Sequence, residues 1–247
     1  MQRYLKLKNA YMNTLVDDDF SQKRFQYVKN VHNNYGLPEL KINKALHYKN
    51  DKEYITTKYP NIDINASAFK KRPGAYGLTA SFIEFLEKHK DTRDNFVIWY
   101  EDDALPGINK ELFNKQLDIA MKSIIKSHNF NNVYFLGYTN YCKNDCGNIN
   151  KWVKKTSNSK SGAHCIIFTK ASINTILTYM KTHTIKLAVD ELLYTLHENK
   201  VITAYDWGNN VLDESQMFCG LFKQKDTHCT QRESVISKSE TEPYVIF

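Results

Sequence analysis

The chain has 247 residues and a net charge of +7, with 42% apolar and 13% aromatic residues, among them 16 Tyr and 13 Phe. That length suits one hydrophobic core rather than two domains, and so much core-forming material excludes a disordered chain. Only five of the 34 basic residues are Arg, at positions 3, 24, 72, 93 and 232, which argues against nucleic-acid partners because the bidentate fork that grips phosphates and guanine edges is scarce.

A diffuse positive field still suits the steering of a small anion such as a nucleoside diphosphate. Five cysteines without framework spacing, and an N-terminus without an apolar stretch, point to a reducing compartment and a cytoplasmic location. No apolar run approaches the roughly 18 residues of a membrane span.

In chain order, RYLKLKNA reads as a short strand, and TLVDDDFSQ supplies cap residues for an amphipathic helix near residues 22–34, which NNYGLPE stops. An extended piece follows at 40–45, and the polar region 49–64 shows no assignable period. From Ala75, the positions Tyr76, Leu78, Ser81, Phe82, Phe85 and Leu86 have helical spacing, with KKRPG read as a loop ahead of them.

FVIWY at 96–100 is the compact apolar run of a buried strand. A helix at 109–127 and a second buried strand at 133–138 complete the strand, helix, strand grammar of an α/β sheet. Residues 139–160 read as a polar functional loop. A strand at 163–169, a helix at 171–181, a helix opened by Asp190, a final strand VITAYDW and an irregular tail after 223 close a single domain spanning 1–247.

The most informative string is FVIWYEDD. Ligands of open α/β sheets bind beyond the carboxyl ends of the strands, so Glu101, Asp102 and Asp103 stand where a site belongs. Hard oxygen ligands in that place suit Mg²⁺ or Mn²⁺, which bind substrate phosphates through one or two carboxylates. The alternative reading is a hydrophilic loop that caps the next helix.

Six strings in order then resemble glycosyltransferase family 25, which contains lipooligosaccharide and collagen galactosyltransferases, together with related chlorella-virus-type enzymes. They are QKRFQYVKNVHNNYGLP, RPGAYGLTASFIEFLEKH, FVIWYEDDALP, NVYFLGY, SGAHCIIFTKASINTIL and VDELL, covering roughly residues 20–205. The chain departs from the family in its glycine-rich segment, where Leu78 and Ser81-Phe82 replace Cys and Ser-His. The resemblance implies a GT-A-type, Rossmann-like mixed sheet flanked by helices, a nucleotide-diphosphate sugar donor (a UDP-sugar), a glycan or glycoprotein acceptor, a Mn²⁺ or Mg²⁺ cofactor, and inversion at the anomeric carbon.

By position, the resemblance makes Asp103 the first choice for metal ligation and Glu101 a ligand to metal or donor, with Asp102 on the donor. Asp190 would be the general base that deprotonates the acceptor hydroxyl, with a helix cap as its alternative reading. Arg72 and Gly74, at the start of a helix, are placed on the donor diphosphate. Arg24 is placed near the nucleotide, with a surface salt bridge as its alternative. His228 in the tail is a further metal ligand. Trp152 and Tyr141 would stack on an acceptor sugar, whereas Trp99, Tyr100, Tyr134 and Phe135 read as core. Zinc at Cys142, Cys146 and His164 lacks a second ligand pair. Two other functions remain open: metal-dependent phosphoryl transfer through the same acids, and a catalytically silent carbohydrate-binding protein of this fold.

Overall fold

A computed structural model describes residues 9–140, 151–154, 160–208, 211–213 and 216–224. Eleven strands and seven α-helices are found there: β1 Ala10–Thr14, α1 Asp19–Tyr35, β2 Leu40–Lys44, α2 Lys52–Lys58, α3 Ser67–Lys71, α4 Pro73–His89, β3 Phe96–Tyr100, β4 Ala104–Pro106, α5 Lys110–Ile124, β5 Asn132–Asn140, β6 Lys151–Lys154, β7 Lys160–Thr169, α6 Lys170–Thr182, α7 Val189–Glu198, β8 Thr203–Gly208, β9 Val211–Asp213, β10 Gln216–Gly220 and β11 Phe222–Gln224.

Nine strands form one mixed sheet. Its path runs β2-β1-β3-β7-β5-β10-β9, with β8 also on β5 and β6 on β8. β2, β1 and β3 are parallel to one another, and β7 runs antiparallel between β3 and β5. The far side of β5 is shared: Asn132 to Phe135 pair with β8, and Gly137 to Thr139 pair with β10.

Strand periodicity builds two cores. Val97, Trp99, Ile166 and Phe168 face α2, α3, α4, α6 and α7, while Phe96, Ile98, Tyr100 and Ile167 face α1 and α5. Successive side chains of a strand point to opposite faces, so an all-apolar run such as FVIWY needs helices on both sides. The chain therefore has the α/β, Rossmann-like mixed sheet flanked by helices that its pattern leads one to expect.

Local chemistry sets the helix ends. Asp18 Oδ2 accepts from Ser21 N at 2.6 Å to open α1, and left-handed Gly36 (φ 72°) closes it. Asn109 and Thr169 cap α5 and α6 in the same way.

The structure moves several expectations. Among the described residues the first strand is Ala10–Thr14; the expected strand RYLKLKNA lies outside them except for Asn9 and Ala10. The polar region 49–64 contains the helix α2, whose one fully buried side chain, Ile55, is too little apolar signal to show a period. KKRPG is not a loop: Lys70 and Lys71 end α3, and Pro73 starts α4. VITAYDW is not the last strand. Part of the polar stretch 139–160 is β structure, with β6 antiparallel to β8. No helix among the described residues is long and apolar enough to cross a membrane.

Candidate active site

The carboxyl ends of β1, β2 and β3 lie along one edge of the sheet, and the turn 101–103 leaves that edge between β3 and β4. β4 pairs antiparallel with β11 as a separate ribbon. On α1, His32 Nε2 meets Ala104 O at 3.1 Å and its ring packs on Tyr100 and Phe222. The acidic turn is thus tied down on both sides.

Each carboxylate of the turn has a different neighbour. Glu101 Oε2 accepts from His164 Nδ1 at 2.8 Å, and Glu101 N donates to His164 O at 3.2 Å. Asp102 is buried against Arg24, Oδ1 to Nη1 at 3.4 Å, with both side chains nearly out of solvent. Asp103 is buried, and its Oδ1 has no hydrogen-bond partner among the described residues.

Electrostatics follow from that crowding. Burial pushes the Asp103 carboxyl up to about 7, with Asp102 and Glu101 adding to the rise and His164 and Arg24 opposing it. Burial also raises Asp102, against the pull of Arg24. For His164, burial works downward, but the hydrogen bond and charge of Glu101, with the charges of Asp103 and Asp190, outweigh it and hold the imidazole above its usual value.

Asp190 reaches the same place from α7. Its Oδ2 accepts from Gly162 N at 3.0 Å, across from His164 on β7. It does not cap its own helix, because the N-cap is Ala188 and no side chain bonds there; the helix-cap reading is corrected. Arg72 Nη2 pairs with Glu191 Oε1 at 2.5 Å, which brings the starts of α4 and α7 together. Gly74 lies buried in the first turn of α4 rather than in a loop ahead of it.

Glu101, Asp102, Asp103, Asp190 and Arg24 therefore converge, while Arg72 lies on an exposed ion pair with Glu191, the residue after Asp190. Arg24 is no surface residue, contrary to the alternative reading, since the Asp102 carboxylate and the Phe20 ring (4.8 Å) enclose it. His228, Tyr141, Cys142 and Cys146 lie outside the described residues. Trp152 is not a sugar platform: its Nε1 donates to Ala120 O at 3.1 Å, and its ring packs on Tyr134 and Trp207. Among the described residues, no group of three or more His, Cys, Asp or Glu is placed to hold a metal ion.

Three residues belong to this site without a sequence signal that places them there, His164 being readable only as a zinc candidate. His164 stands one step past the Tyr100↔Cys165 pairing, so it meets residue 101 only once β3 and β7 are known to be antiparallel neighbours. Asn13 and Thr14 end β1. Asn43 Nδ2 donates to Asn13 Oδ1 at 3.0 Å, while Asn13 Nδ2 and Thr14 Oγ1 are buried without partners among the described residues. Thr14 also lines a cavity of about 700 Å³ with Val16, Gln22, Phe25, Gln26 and Ile42, next to Arg24 on α1.

No protein-family model matches the chain, and no curated protein matches it.

Proposed function

We propose that the chain is a metal-dependent glycosyltransferase of GT-A type, moving a hexose from a nucleotide-diphosphate sugar, with a UDP-sugar as donor, to a hydroxyl of a glycan or glycoprotein. The observation that carries this reading is Asp103 Oδ1, a buried carboxylate oxygen at the carboxyl edge of the sheet without a partner among the described residues. An orphaned buried acceptor costs stability unless a ligand satisfies it.

A Mg²⁺ or Mn²⁺ ion fits that oxygen. Such ions keep several waters and take the rest of their shell from one or two carboxylates and from substrate phosphates, so a ready-made cage of three side chains is not needed. Asp103 would hold the ion, with Glu101 beside it for ion or donor. The ion would neutralise charge on the nucleoside diphosphate as it leaves.

The protein's own groups divide the remaining work. The cavity beside α1 has the size and mixed lining of a small-molecule pocket and would take the nucleoside. Arg72 and the N-terminal ends of α4 and α7 present positive charge to phosphate oxygens. Asp190, held through one oxygen by Gly162 N, would receive the proton of the acceptor hydroxyl through the other. Asp102, neutralised by Arg24, anchors the turn instead of touching the donor.

Thermal melting of the chain with UDP, in Mn²⁺ and in EDTA, tests the assignment. UDP should raise the melting temperature, and more so in Mn²⁺, because a ligand bound to the native state stabilises it. Equal stabilisation in EDTA removes the metal from the reading, and no stabilisation in either condition overturns it.

A further inference from the structure

We propose that the segment Gly162-Ala163-His164, at the start of β7, is a bracket that positions Glu101 and Asp190 relative to each other by holding one oxygen of each carboxylate and leaving the other to the ligands. This inference rests on the glycosyltransferase reading for what those ligands are, and on hydrogen-bond geometry alone for the bracket.

Two residues of one strand grip acids from two separate elements. Gly162 N–H donates to Asp190 Oδ2 at 3.0 Å, and His164 Nδ1–H donates to Glu101 Oε2 at 2.8 Å. The second contact is braced by the sheet itself, since Glu101 N donates to His164 O at 3.2 Å and Tyr100 is in register with Cys165. Among the described residues, neither Glu101 Oε1 nor Asp190 Oδ1 has a partner. Each acid is therefore fixed in direction and still able to accept one more contact.

Gly162 is required by both ends. Its φ of 83° lies in the left-handed region that side chains disfavour. A Cβ built there would stand 2.7 Å from His164 Cε1 and 3.0 Å from Nε2. The glycine backbone thus lies against the imidazole, and any side chain would push the ring off Glu101 and the N–H off Asp190. Gly162 and His164 are positioning residues in this scheme, because they touch the acting carboxylates and not the substrate.

Titration of UDP with Mn²⁺ into the folded full chain tests the Glu101 end. His164→Leu should weaken binding about 10-fold or more, the loss expected for one hydrogen bond to a charged group. Glu101→Gln should do likewise, and the double variant should be no weaker than the worse single, since both remove one device. His164→Asn, which keeps an amide donor near the Nδ1 position, should recover most of the affinity. Unchanged binding in a folded His164→Leu protein, or fully additive losses, overturns the bracket.

Two resonances test it without ligand. The Gly162 amide proton should move upfield in Asp190→Asn, and the slowly exchanging His164 Nδ1 proton should be lost in Glu101→Gln. If both stay in place, the bracket is wrong. A wild-type chain that binds no UDP overturns the glycosyltransferase reading instead, and the two resonances still decide the bracket.

Discussion

Arg24 enters the carboxyl edge of the sheet from α1 on one face, and Arg72 enters from the start of α4 on the other. Both pair with a carboxylate. The Arg24 and Asp102 side chains are 7% and 6% exposed, those of Arg72 and Glu191 51% and 40%. A buried pair has already given up its water, so neither partner can leave without stranding the other. An exposed pair holds loosely and can be exchanged for a ligand at little cost. The α1 side of the site is consequently built as scaffold, and the α4–α7 side as a surface free to respond.

The hardest test of that contrast is Arg24→Ala. It should lower stability by about 3 to 5 kcal/mol in chemical denaturation at neutral pH, because Asp102 is left buried and unpaired. Asp102 is already raised by burial. Without Arg24 it should take up a proton more readily, so the loss should grow as pH rises. Adding Asp102→Asn should return much of the stability, since it removes the stranded charge. A loss below about 1 kcal/mol would mean that the α1 pair behaves like an exposed one.

The next effect concerns Asp103, which lies in the scaffold half with its Oδ1 unpartnered among the described residues. Its folded carboxyl is raised to about 7 from a usual 3.8. The stability contributed by that raised group is fully present below 3.8 and is lost as pH rises through 7. Asp103→Asn should therefore stabilise the metal-free chain at pH 8, by up to about 3 kcal/mol, and the gain should shrink toward pH 4. Mn²⁺ with UDP should reverse the order, stabilising the wild type and not the variant. His32 and His89 work in the other direction: burial lowers both to about 4 from 6.5. Their stability is present above 6.5 and lost as pH falls toward 4. With Asp103 replaced, acidification below 6.5 should destabilise the chain more steeply than in the wild type. A variant with the pH profile of the wild type would show that Asp103 is not held raised by its surroundings.

The scaffold half was also the more legible in sequence. FVIWY followed by three acids located β3 and the turn, because a strand buried on both faces leaves an unbroken apolar run and its polar end stands out. The helices α1, α4, α5 and α6 were readable from their period and caps. β1 was not, since AYMNT is short and its buried Asn13 and Thr14 look like surface residues until the sheet closes over them. β6, β9, β10 and β11 were missed because they are three to five residues long, too short for an alternation to show. His164 could not be assigned to Glu101 from spacing, as 63 residues and an antiparallel pairing separate them. Arg24 was found on the correct helix and given the wrong exposure, because an arginine in a polar helix gives no sign of which carboxylate will bury it.

The smallest expected change in stability, and the sharpest test of the responsive half, is Arg72→Ala. Its pair with Glu191 is half exposed, so melting or denaturation should move by no more than about 1 kcal/mol. UDP affinity should fall further, by about 1.5 to 3 kcal/mol, if the guanidinium leaves Glu191 for a phosphate oxygen when donor binds. Glu191→Gln should then strengthen UDP binding, by a few-fold at most, because it removes the competitor for Arg72. Lys70→Ala and Lys71→Ala, at the end of α3, should change both quantities less, since a flexible ammonium lacks the planar fork that fits phosphate. Two results would break the comparison from this side. A stability loss above about 2 kcal/mol in Arg72→Ala would make the exposed pair structural like the buried one. Unchanged UDP affinity in Arg72→Ala, with a loss in Lys70→Ala or Lys71→Ala, would move the phosphate contact from the start of α4 to the end of α3. The ion pair with Glu191 would then serve only to hold two helix ends together.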